Sequence, residues 1–120
     1  MREKERMQER RRLDAEMKPF RCAAKAKKPT EGLLRAVRQA LRVPIAEIME
    51  KAGVCRSVVF DLEASERKGT ITLSSLVRMA EAMRCDVVYG IVPKGGKTLD
   101  ALAERRLWES VLGVGNRTRD

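Results

Sequence analysis

No histidine occurs among the 120 residues of this chain. That absence removes the commonest general base, the triads built on one and most zinc sites. Aromatic residues make up only 3%, and Phe20, Phe60, Tyr89 and Trp108 are too scattered along the chain to form the base-stacking platform of a single-strand RNA reader. The three cysteines, Cys22, Cys55 and Cys85, are odd in number and contain no C-x-x-C pair, which argues against a disulfide framework and a metal centre and for a reducing compartment. No apolar run approaches the roughly 18 residues of a membrane span, and the charged opening Met1-Arg2-Glu3-Lys4-Glu5-Arg6 is unlike a secretory leader. The expectation is a cytoplasmic protein with no enzymatic activity, no cofactor, no metal and no membrane contact.

What is abundant is positive charge. The formal net charge is +9, with 26 Lys/Arg against 17 Asp/Glu, and residues 1–28 alone hold eleven basic side chains against five acidic ones. Two-thirds of the excess therefore lies in the first quarter of the chain, and a polyanion, above all double-stranded DNA, is the expected partner. An apolar content of 43% over this length suffices for one modest core, so one domain is expected.

Residues 1–29 read as a basic arm and linker. Up to Lys18 there is neither Gly nor Pro, yet Met1, Met7, Leu13 and Met17 are too sparse to drive packing alone, so the arm is either helical or disordered. Pro19 and Pro29 bracket a flexible lysine-rich stretch. A compact region is expected over 30–84. Thr30 and Glu31 suit the start of a first helix with Leu33, Leu34, Val37, Ala40 and Leu41 on one stripe. Pro44 fits the first turn of a second helix, which buries Ile48 and Ala52 and stops at Gly53. A third helix runs from about Cys55 to Ala64 and buries Val59 and Leu62, followed by a polar loop over 65–70. Thr72 caps a fourth, with Ile71 and Leu76 placed as a hydrophobic staple and Leu73, Leu76, Val77, Ala80 and Met83 on its inner face. The β-branched run Val87-Val88-Tyr89-Gly90-Ile91-Val92 predicts a strand. Thr98 caps a last helix with a broad apolar face of Leu99, Leu102, Ala103, Leu107, Trp108, Val111 and Leu112. A disordered tail is expected over 114–120.

The stretch from Ile45 to Glu63 carries the functional signal. Two helices meeting steeply about one turn need a residue tolerant of positive φ between them and small or branched apolar residues where they touch. Gly53 supplies the first, and Ile48, Ala52, Val54, Val59 and Leu62 supply the second. This is the spacing of a helix-turn-helix, with the second helix left to face outward. The plain alternative is an all-α bundle with no nucleic-acid role.

Through Ala52-Gly53-Val54, Leu62-Glu63 and the staple-led fourth helix, the chain resembles the phage-repressor-like XRE (Cro/C1-type) helix-turn-helix family. Through Gly32-Leu33-Leu34-Arg35-Ala36-Val37-Arg38-Gln39-Ala40-Leu41, Ala82-Met83, residues 87–92 and the final helix, it resembles the subfamily called mobile mystery protein A. The resemblance implies an all-α, lambda-repressor-like bundle of four to five helices with one short C-terminal strand. It further implies a transcription regulator or antitoxin-like protein, often encoded beside a Fic-domain partner. Carried onto matching residues, it implies base contacts from Arg56, Ser57 and Asp61 and phosphate contacts from Arg38, Cys55, Arg67 and Lys68. It also implies a structural ion pair between Arg38 and Glu63.

Four positions depart from the family's habit: Ile45 where glutamine is frequent, Met49 where alanine is usual, Phe60 for serine and Ser65 for glycine. Phe60 reads either as an apolar contact to a thymine methyl or as packing onto a neighbouring chain. Since one such motif reads few base pairs, a homodimer is expected, joined over 85–113 by an intersubunit β-ribbon of Val87, Val88, Tyr89, Ile91 and Val92 under the Trp108 helix. The alternative function is an interaction protein that neutralises a Fic-type enzyme and binds DNA weakly.

Overall fold

The computed structural model describes residues 1–113, and these are all-helical. Seven α-helices follow one another: α1 (Glu3–Glu16), α2 (Lys18–Ala23), α3 (Leu33–Ala40), α4 (Ile45–Ala52), α5 (Arg56–Lys68), α6 (Leu73–Ala82) and α7 (Leu99–Val111). A short 3₁₀ turn at Lys94–Gly96 precedes α7. Instead of the one domain expected, the chain forms two compact units, Lys27–Val88 and a second made from Met1–Ala26 with the described residues from Tyr89 onward. The expected tail over 114–120 lies outside the described residues.

Helices α3 to α6 build the first unit around one core. Ile48 from α4, Val59 from α5 and Met79 from α6 are completely buried, with Leu34, Ala52, Ala82 and Met83 beside them. Each fully buried large side chain contributes about 1.5–3 kcal/mol. The stripes expected from periodicity are largely present but rotated. Leu34 is the buried member of α3 while Leu33 and Leu41 remain exposed; on α6 Ala80 and Met83 are buried and Leu76 packs on the core as expected, Met79 and Ala82 are buried as well, and Leu73 is left outside.

One device ends four successive helices. After α3, α4, α5 and α6 the chain turns left-handed at Arg42 (φ 55°), Gly53 (φ 69°), Gly69 (φ 81°) and Arg84 (φ 59°). The following amide reaches back to the last turn, Val43 to the Arg38 carbonyl at 3.0 Å and Cys85 to that of Ala80 at 2.9 Å. Val43, Val54 and Cys85, each one residue past its turn, pack against the core. Apolar anchors thus fix the direction in which each next helix departs.

Three expectations about helix ends change. Thr30 does not cap α3, whose N-cap is Gly32 at φ 90°; the Leu34 amide instead donates to Glu66 Oε1 at 2.9 Å. A tertiary carboxylate from α5 takes the capping role and complements the helix dipole. The loop expected over 65–70 is mostly helix, because Glu66, Arg67 and Lys68 are good helix formers and the true stop is Gly69. Thr72 performs as expected, accepting from the Ser75 amide at 3.2 Å, and the Ile71–Leu76 staple lies against the core.

In the second unit α1 pairs with α7. Asp14 of α1 accepts from the Leu99 amide at 2.7 Å and the Asp100 amide at 3.3 Å, while Thr98 accepts from Ala101 at 3.1 Å. The first three amides of α7 are therefore all satisfied. Arg10 Nε donates to Asp100 at 2.9 Å, and Arg21 donates to the Asp14 carbonyl at 2.8 Å, folding α2 back on α1. The arm is thus helical and shares a unit with the C-terminal helix, and Pro19 opens a helix where a flexible linker was expected. No side chain of α1, α2 or α7 is buried.

The strand expected over 87–92 is absent; among the described residues there is no strand at all. β-branched residues favour a pleated, half-buried surface, and residues 87–92 have no strand beside them to create one. Gly90 instead lies close over Phe20, where an added Cβ would come within 2.8 Å of ring Cγ and 3.1 Å of the Met17 sulfur. Val88, Tyr89 and Ile91 are left exposed, at 78%, 68% and 85%. No helix among the described residues is long and apolar enough to cross a membrane.

Candidate nucleic-acid interface

Helix α5 is two-faced. Val59 and Glu63, one turn apart, point into the core with Leu62 packed beside them. Arg56, Ser57, Phe60 and Asp61 project from the opposite side, all exposed. Apolar content decides which face turns inward, but a hydrophobic pattern alone does not put a glutamate there. Glu63 is only 4% exposed, and a carboxylate so placed needs a partner. Arg38 of α3 provides it through two parallel bonds, Nε at 2.6 Å and Nη2 at 3.2 Å. With two helices joined by a bidentate pair, α5 cannot rotate about its axis without breaking it. The expected ion pair is therefore present. The Arg38 side chain is itself only 14% exposed, so two of its three nitrogens serve α5 rather than an outside ligand.

At the other end, α4 reaches Gly53, turns left-handed and hands the chain to α5 through Val54 and Cys55. Met49, bulky for a position beside this turn, lies half-buried against the core with Ile45 and Val54. Lys51 pairs with Glu47 across one turn of α4 at 3.2 Å, an exposed contact of little energetic weight.

The start of α5 is chemically distinctive. Cys55 is its N-cap residue but makes no side-chain capping bond. Its exposed thiol lies 3.3 Å from the Ser57 hydroxyl. That hydrogen bond, helped by the Val58 and Ser57 amides, lowers the thiol pKa below its ordinary value. One residue on, the Arg56 guanidinium carbon stands 5.4 Å from the centre of the Phe60 ring. A cation over an aromatic face at this range gains about 0.5–1 kcal/mol at an exposed site. Arg67 and Lys68 are exposed as expected but belong to the last turn of α5, where their charge complements the helix C-terminus.

Of the residues expected to join two copies, Val88, Tyr89 and Ile91 are exposed, Val87 and Val92 are half-buried, and Trp108 on α7 is 57% exposed. Leu107, Val111 and Leu112 continue an uncovered apolar surface along α7. Sequence reasoning missed Glu66 and Asp14, the two carboxylates that hold helix N-termini from a distance. The only signals were an acid on the inner side of α5 and one beside a leucine in the arm. Among the described residues no three His, Cys, Asp or Glu side chains gather as a metal site would require, and all three cysteines are free. No family model, curated protein or solved structure matches this chain.

Proposed function

We propose that α4, Gly53 and α5 act as a helix-turn-helix of the XRE type, and that the chain is a sequence-specific DNA-binding transcriptional regulator with no catalytic activity. The observation that carries this reading is the combination on α5: a locked inner face, held by Arg38 and Glu63, and an outer face on which Arg56, Ser57, Phe60 and Asp61 are exposed among the described residues. Sequence-specific readers need that combination, because a side chain distinguishes bases only when its helix is held in a fixed register. In this reading Arg56 bonds guanine O6 and N7, Ser57 bonds base or phosphate, and Asp61 accepts from cytosine N4. Phosphates would be held by Arg67, Lys68 and the start of α5 at Cys55, where the helix dipole favours an anion. The net charge of +9 supplies the long-range attraction.

Dimerisation would place two copies of α5 about one DNA turn apart. Tyr89, Ile91 and the Trp108 face of α7 are the surface for it, since the α1–α7 unit buries no side chain of its own helices and leaves these apolar groups exposed. The same exposed face of α7 favours a second reading, an antitoxin-like protein that covers this surface with a Fic-type enzyme and uses DNA only weakly. The test is binding of the chain to the DNA upstream of its own coding sequence, with Arg56→Ala alongside. A regulator loses affinity with the substitution. Equal binding by both proteins would remove the base-reading role and leave the interaction reading.

A further inference from the structure

We infer that Arg56 and Phe60 work as one reading unit, selecting a guanine with a thymine on the adjacent base pair, and that Phe60 is both the positioning residue for the guanidinium and the contact for the thymine 5-methyl group. This rests on α5 being the DNA-contacting helix. Residues four apart lie on the same face of a helix, and the guanidinium carbon lies over the Phe60 ring at 5.4 Å from its centre. A guanidinium held over a ring can still turn its N–H edge outward, and that edge is what guanine O6 and N7 engage. An arginine so held loses less rotamer freedom on binding than one swinging in solvent.

The ring has a second use. Phe60 is 43% exposed, a large apolar surface for the outer face of a short helix. The only apolar group that the major groove offers is the thymine methyl. Four residues of helix advance about 6 Å, while successive base pairs are about 3.4 Å apart. The guanidinium carbon and the ring centre are 5.4 Å apart, more than one such step and less than two, so the two groups fall on neighbouring pairs rather than on the same one. Asp61, adjacent and acidic, disfavours a phosphate at the ring and keeps the pair directed at base edges.

The experiment uses the full chain and duplexes it selects from a random library. In each selected duplex, deoxyuridine replaces one thymine at a time, which removes the methyl group and nothing else, and affinity is read by fluorescence anisotropy. The wild type should weaken about fourfold, the worth of one buried methyl, at a single thymine beside a guanine. Phe60→Ala, checked for folding by thermal unfolding, should bind the thymine and uracil duplexes equally and discriminate guanine from adenine less than the wild type does. Phe60→Leu should keep the methyl preference while losing part of the guanine preference, since it keeps apolar contact but has no π face. Wild-type indifference to thymine against uracil, or Phe60→Ala retaining both preferences, overturns the paired reading alone. If no duplex is selected at all, the DNA reading of α5 fails and the paired unit fails with it.

Discussion

Removing the Arg38 side chain should markedly destabilise the Lys27–Val88 unit, although Arg38 contributes little to the apolar core. Arg38→Ala leaves the Glu63 carboxylate, 4% exposed, without either of its bonds at 2.6 and 3.2 Å. Breaking a buried pair in this way costs about 3–5 kcal/mol. Because the arginine side chain is still 14% in contact with solvent, water can partly replace it, and the lower end, about 3 kcal/mol, applies here. For a domain whose total stability is about 5–15 kcal/mol, that is a large fraction, and for a unit of this size it corresponds to a fall in Tm of at least about 12 °C. Urea unfolding followed by circular dichroism measures it. The pair Arg38→Met with Glu63→Leu should recover most of the loss, because two apolar side chains leave no orphaned charge. A cost below about 1 kcal/mol for Arg38→Ala alone, or a double variant no better than the single one, would refute the idea that this bridge fixes α5.

Other perturbations have equally definite outcomes. Arg42→Gly and Arg84→Gly should each stabilise the chain by about 0.5–1 kcal/mol, since glycine tolerates the left-handed conformations now forced on arginine. Gly32→Ala should do the reverse by about 1–3 kcal/mol, because φ is 90° and the new Cβ would lie 2.9 Å from the Glu66 oxygen that caps α3; thermal unfolding reads both. Asp14→Ala removes two bonds to the start of α7 and should raise proteolytic cleavage within Leu99–Val111, with a local loss of about 1–2 kcal/mol. The lowered thiol pKa of Cys55 means that its thiolate population rises at lower pH than in the unfolded chain; alkylation of the native protein should therefore begin at lower pH than alkylation in denaturant, and the adduct should block DNA. Replacing Arg67 and Lys68 by glutamine should reduce the salt slope of DNA binding by about two without changing sequence preference.

Much of the first unit is legible in the residues because its signals are local. Gly53 marks a left-handed turn wherever it stands, and Thr72 caps with its own hydroxyl. The failures are tertiary. Glu66 and Asp14 cap helices 32 and 85 residues away in sequence, and no window of the chain contains both partners. Arg42 and Arg84 adopt a conformation that residue type argues against, held by the apolar anchors Val43 and Cys85 that follow them. The run over 87–92 has every residue a strand favours and lacks the neighbour a strand requires. On the candidate interface the exposed set Arg56, Ser57, Phe60 and Asp61 follows from the helical period once Val59 is known to be inside. The stacking of Arg56 on Phe60 depends on rotamers that the sequence leaves open.

The central claim, that the outer face of α5 reads bases, is tested most directly by titrating one selected duplex with the wild type and with Arg56→Ala at fixed salt. Loss of a bidentate guanine contact should weaken binding to that duplex about fivefold to 150-fold, with little change on a scrambled duplex of equal length. An equal fall on both duplexes would mean that Arg56 touches only phosphate, and no fall on either would mean that α5 does not face DNA.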